Sequence, residues 1–89
     1  MIKSTITISN RLGLHARASA KLTKMAGGFK SELHLSRNNR RVNAKSIMGV
    51  MMLAAGMGSE IEIEADGPDE SEAMAALRIL IDGRFGEAD

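Results

Sequence analysis

The chain has 89 residues, no cysteine, and twelve basic against eleven acidic residues, for a net charge of +1. Disulfide staples and thiolate metal sites are excluded, and no apolar run approaches the roughly 20 residues that span a bilayer. Near-neutral charge, with two phenylalanines and no tryptophan or tyrosine, argues against a nucleic-acid-binding surface.

At the N-terminus, Ile2, Ile6 and Ile8 alternate with Lys3, Thr5 and Thr7. That pattern reads as a strand and not as a signal peptide. "ARASAKLTKMA" (16–26) reads as a helix whose stripe is Ala18, Leu22, Met25 and Ala26, with Gly27 and Gly28 as its stop. "SELHLS" (31–36) is a second strand, with Leu33 and Leu35 inward and Glu32, His34 and Ser36 outward. "RNNR" turns the chain into a third strand with Val42 and Ala44 inward.

"KSIMGVMMLAAG" (45–56) reads as a short helix capped by Ser46 and stopped by Gly56. Val50, Leu53 and Ala54 form its core stripe. Ile47, Met48, Met51 and Met52 are then at least partly exposed, the alternative for Ile47 and Met51 being that they fill the core edge. "SEIEIEA" (59–65) is the clearest strand, with Ile61, Ile63 and Ala65 inward and Glu60, Glu62 and Glu64 outward. The last helix starts with Pro68 in its first turn and acids around it. It buries Ala73, Met74, Leu77, Leu80 and Ile81, and stops at Gly83.

The order is β-α-β-β-α-β-α within one domain, 1–89. Strands with one apolar and one polar face predict a four-stranded, mostly antiparallel sheet covered on one face by three helices, an open-faced two-layer α+β sandwich.

The two histidines differ in setting. His34 falls on a strand's polar face and reads as a surface residue. Two lone histidines make a poor metal site, so neither a metal nor a cofactor is expected. His15 directly precedes a helix, where unpaired N–H groups and the positive end of the dipole gather. That setting favours a neutral ring over a charged one, and an anion attached to the ring would find donors. Arg17 can add a charge-assisted bond. On the residues alone, His15 is either an ordinary helix-start residue or a nitrogen nucleophile for a phosphoryl group. No Ser-His-Asp arrangement and no phosphate-binding glycine loop is present.

Arg17, Ala20 and Lys24 share the exposed side of the first helix. With the methionines of the second helix they suggest a docking surface, since exposed methionine suits protein contact.

"GLHARASAKL" and, further on, "NAKSIMGVMMLAAGMGSEIEIEADGPDESEAMAAL" together resemble the HPr family, histidine-containing phosphocarriers of the bacterial phosphotransferase system, over essentially the whole chain. The resemblance implies that enzyme I phosphorylates His15 on ring Nδ1 with a group drawn from phosphoenolpyruvate, that Arg17 assists, and that an enzyme IIA receives the group. It places Ala20, Lys24, Ile47, Met48 and Met51, beside Arg17, on the docking surface. It makes Ser46 a site for an HPr kinase/phosphorylase. Such a carrier is a cytoplasmic monomer and a substrate of two transferases rather than an independent enzyme. The other reading is a regulatory binding module that uses the methionine patch under control of Ser46 phosphorylation. The family's commonest motif has proline after the arginine, where this chain has Ala18. A proteobacterial branch shares "HARASAKL", and some of its members serve regulation rather than sugar uptake.

Overall fold

The computed structural model describes residues 1–87. The elements are β1 (Ile2–Thr7), α1 (Ala16–Gly27), β2 (Glu32–Arg37), β3 (Arg40–Asn43), α2 (Ile47–Met52), β4 (Glu60–Asp66) and α3 (Glu70–Asp82), followed by a single helical turn at Arg84–Gly86. The sheet order is β1-β4-β2-β3, and every neighbouring pair is antiparallel. β1 and β2 both flank β4, so they run parallel to each other across a one-strand gap. α1 carries the chain over that gap, and β4 later fills it.

Alternation in the strands decides which face carries the core. Ile6, Leu33, Leu35, Ile61, Ile63 and Ala65 point under the helices and meet Ala18, Leu22 and Ala26 of α1 and Ala73, Leu77 and Ile81 of α3. The opposite face is polar. Glu64 lies there beneath Arg41, whose Nε and Nη2 donate to Oε2 at 3.1 and 2.9 Å. This guanidinium holds the Glu64 carboxyl below the usual carboxylate range. Arg41 Nη2 also lies 3.2 Å from His34 Nδ1, so His34 is half-buried on this face.

Several boundaries differ from the sequence expectation. Met25 is exposed, because the buried arc of α1 is centred between Leu22 and Ala26. Ser19 extends that arc on one side, its hydroxyl donating to the Leu14 carbonyl at 3.0 Å, and Met25 falls off the other. Leu80 is only half-buried, and it lines with Met25 a shallow groove between α1 and α3. α2 is shorter than expected. Ala54 follows it in left-handed backbone (φ 51°) and turns outward, and Ala55 takes the buried place. Ile47, Met48, Met51 and Met52 are all exposed, as the sequence pattern suggests, and Ile47 and Met51 do not fill the core edge. Pro68 precedes α3 rather than sitting in its first turn.

Arg84–Gly86 had no counterpart in the sequence reading. Arg84 and Phe85 both adopt left-handed backbone, at a cost of about 1–2 kcal/mol each. Phe85 is 1% exposed, and burying such a ring stabilises by about 1.5–3 kcal/mol. Lys21 Nζ donates to the Phe85 carbonyl at 2.6 Å, and a bond from a charged donor adds about 1.5–3 kcal/mol. Together these gains outweigh the strain and fasten the tail beside the start of α1.

Candidate functional site

The loop before α1 is held from three sides. Gly13 has φ 64°, and a Cβ there would lie 2.4 Å from the Ala55 carbonyl oxygen, so only glycine lets this loop pack on the segment after α2. Leu14 N–H donates to that same carbonyl at 2.9 Å. Asn10, fully buried, donates through Nδ2 to the Gly13 carbonyl at 2.8 Å. Ser19 binds from within the helix, its N–H donating to the His15 carbonyl at 2.8 Å and its hydroxyl to that of Leu14.

His15 is the N-cap of α1, in extended backbone (φ −75°, ψ 179°), and its side chain caps nothing. The first bond into the helix goes to Ser19 N–H, so the N–H groups of Ala16, Arg17 and Ala18 have no helical acceptor. No acidic residue lies in this first turn. The positive end of the dipole is therefore uncompensated from within the helix. Ala18 is fully buried, and α1 begins regularly at Ala16 with alanine in place of proline.

The ring sits in an open cleft of about 710 Å³ lined by Arg11, Leu12, Ala16, Arg17, Lys21, Gly86 and Glu87. Its side chain is 28% exposed. Nδ1 lies 3.0 Å from the Gly13 carbonyl oxygen, and Nε2 lies 3.2 Å from Glu87 Oε2. In this arrangement Nδ1 is turned toward the loop rather than into the cleft. Arg17 is exposed and makes no hydrogen bond or ion pair among the described residues. Three basic side chains and a helix N-terminus around one half-buried imidazole make a setting for a small polyanion attached to the ring.

The remaining residues singled out from sequence distribute as follows. Ala20 and Lys24 are exposed on α1, and Ile47, Met48 and Met51 on α2, which packs beside it. Ser46 is exposed and caps α2, its hydroxyl accepting from Gly49 N–H at 3.2 Å. His34 is not brought to the cleft. No group of three potential metal ligands occurs among the described residues, and none of their helices is long and apolar enough to cross a membrane.

Asn10, Lys21, Phe85 and Glu87 were missed. Asn10 and Glu87 are 77 positions apart in sequence, yet Asn10 Nδ2 donates to Glu87 Oε1 at 3.1 Å. Nothing local announces that pair. The visible signal was Phe85, a large apolar residue beyond the Gly83 stop, which had to be buried somewhere.

The family model described as the PTS HPr component phosphorylation site matches residues 2–82. The phosphocarrier protein HPr of Cupriavidus necator is 64% identical over 89 residues, covering all of both chains. The crystal structure of HPr-C-His from Thermoanaerobacter tengcongensis superposes with a TM-score of 0.97 at 44% identity, again covering all of both chains. A structure described as an HPr dimer from the same organism has a TM-score of 0.79 at 45% identity, covering 98% of this chain and 100% of that one. The chain belongs to the HPr family, the phosphocarriers of the phosphotransferase system.

Proposed function

We propose that this family member carries its phosphoryl group on His15 Nδ1, receiving it from enzyme I, ultimately from phosphoenolpyruvate, and giving it to an enzyme IIA. The observation that carries this reading is an N-cap histidine that does not cap. It leaves the N–H groups of the first turn, and Arg17, whose guanidinium has no partner among the described residues, to receive phosphoryl oxygens. Ala20, Lys24, Ile47, Met48 and Met51 form the docking surface for both partners. Apolar contact there, with Arg17 at its edge, would bring the two reacting groups together.

Ser46 is the second modification site in this reading, the substrate of an HPr kinase/phosphorylase. A phosphate there would still meet a helix N-terminus, while adding about two negative charges beside Ile47 and Met48. In this reading the carrier works in the cytoplasm and as a monomer. A binding module acting without phosphoryl transfer is not favoured by the family match.

The test is incubation with phosphoenolpyruvate, magnesium and enzyme I, followed by intact mass measurement. The protein is expected to gain one acid-labile phosphate, and His15→Ala none. No gain in the unaltered protein, or an acid-labile gain in His15→Ala, would sink the assignment.

A further inference from the structure

Both ring nitrogens of His15 face oxygen acceptors, the Gly13 carbonyl at 3.0 Å and Glu87 Oε2 at 3.2 Å. The second acceptor is held with care. Asn10 is fully buried, and its Nδ2 divides two donations between the Gly13 carbonyl and Glu87 Oε1. Both partners are acceptors, which fixes the amide orientation, since the carbonyl oxygen of Asn10 could bond neither. Glu87 Oε2 is itself buried and has no hydrogen-bond partner among the described residues. The Nε2 of His15 becomes one when it carries a proton. The tail reaches this position already anchored by the Phe85 ring, by Lys21 on the Phe85 carbonyl, and by Glu87 N–H on the Arg84 carbonyl at 2.9 Å. The carboxylate is not needed to hold the tail down. A buried carboxylate oxygen with no donor would be costly, and the imidazole is the donor the geometry offers it.

We propose that Glu87, held by Asn10, is a positioning residue for phosphoryl transfer at His15: its carboxylate accepts the Nε2 proton and so leaves Nδ1 as the nitrogen with the lone pair. This rests on the carrier reading above. A neutral imidazole has one proton. With that proton on Nε2, the Glu87 contact is a hydrogen bond, and the Nδ1 lone pair is set against the lone pairs of the Gly13 carbonyl. On this proposal transfer requires the ring to turn its Nδ1 edge away from the Gly13 carbonyl and into the cleft about the Nε2–Glu87 contact. There it faces Arg11, Arg17, Lys21 and the N–H groups of Ala16 to Ala18, with Glu87 at its other nitrogen.

In the transfer step the Nδ1 lone pair forms the bond to phosphorus. The bond from phosphorus to the donor breaks, and its electron pair leaves with the donor. The proton stays on Nε2, so the ring becomes positively charged and Glu87 sits against that charge. On the return step the P–Nδ1 pair goes back to the ring, which is neutral again with the same proton in place. An interaction that strengthens as charge develops lowers the barrier and does more than hold the ground state. A carboxylate behind a histidine performs the same orienting task in hydrolase triads.

Glu87→Gln keeps the size of the side chain and removes its charge. Two measurements read the consequence. Nitrogen-15 NMR of the ring in the unphosphorylated protein is expected to show the Nε2–H tautomer, and Glu87→Gln to lose that bias, because an amide can also donate to Nε2. Single-turnover transfer from phosphorylated enzyme I is expected to slow about 10-fold in Glu87→Gln, less in Asn10→Ala, and to recover partly in Glu87→Asp. An unchanged melting temperature of Glu87→Gln keeps the slowing from being a folding defect. The same tautomer together with a transfer rate within about twofold of the unaltered protein overturns the proposal. An unaltered protein that takes no phosphate at all overturns the carrier reading, and the transfer role of Glu87 with it, whatever the tautomer.

Discussion

Two long helices in this chain start in nearly the same way and end up with opposite electrostatics. α1 and α3 are each entered through a glycine in backbone that other residues rarely adopt, Gly13 at φ 64° and Gly67 at φ 154°. Each has an N-cap residue, His15 or Asp69, whose side chain makes no cap bond to its own helix. In α3 the positive end is filled from within by Glu70 and Glu72, and Glu70 also accepts from Gly67 N–H at 3.1 Å. In α1 the first turn has no acid, and the cleft beside it is lined by Arg11, Arg17 and Lys21, with Glu87 the one carboxylate there among the described residues. α3 is therefore a finished helix start, stable and closed to further anions. α1 leaves its dipole and donors unmet, which costs stability and keeps a place for a phosphoryl group.

The largest effects should come from the two entry glycines. Gly13→Ala would drive a Cβ to 2.4 Å from the Ala55 carbonyl oxygen, and Gly67→Ala to 2.6 Å from Ser31 Cα. Strained backbone together with overpacking predicts a loss of about 2–4 kcal/mol in each, read as a lower urea midpoint. The comparison is broken if both variants behave alike in transfer. Gly13→Ala should also slow phosphorylation of its folded fraction, because it displaces the loop that seats His15, while Gly67→Ala should not.

A smaller effect would sharpen the contrast by making α1 resemble α3. Ala16→Glu places an acid in the empty first turn. It should stabilise the protein by about 0.3–1 kcal/mol through the helix dipole. It should also slow phosphoryl acceptance about 10-fold or more, by competing for the donors an oxyanion needs. Thermal melting and single-turnover transfer measure the two. A variant that is both more stable and equally fast would mean the open dipole has no part in transfer.

The last contrast belongs to Asp69, whose contribution is present at neutral pH and is read by its loss on acidification. Its carboxylate accepts from the Ser31 hydroxyl, from Lys30 N–H and from Ser31 N–H, tying the start of α3 to the start of β2. The Ser31 hydroxyl bond first, then the backbone bonds, lower its pKa from 3.8 to about 2. The folded value is below the unfolded one, so the contribution is fully present above about pH 4 and is lost as pH falls through about 2. Glu70 is shifted the same way, chiefly by Gly67 N–H. Melting temperature against pH should fall in that window, and Asp69→Asn should flatten its part of the slope.

The element order was legible because two periods, alternate residues in strands and three-to-four in helices, are local properties of the chain. His15 at a helix start, Ser46 as a cap and the outward methionines of α2 were legible for the same reason. Met25 and Ala54 were misread at the margin, because periodicity gives a stripe but not how far a neighbouring element reaches over its edge. The part of the site that could not be read was the part made by the tail. Asn10, Phe85 and Glu87 have no local pattern in common.

By itself, then, the chain's pattern of side chains determined four strands, three helices, the apolar face of each, and a histidine placed where a helix dipole is strongest. Each of these follows from interactions within a few residues. Only the tertiary structure decided that the Gly13 loop leans on Ala55, that Arg41 covers Glu64, and that a buried Asn10 brings Glu87 to the far nitrogen of the His15 ring. Those contacts join segments brought side by side only by burial of the common core.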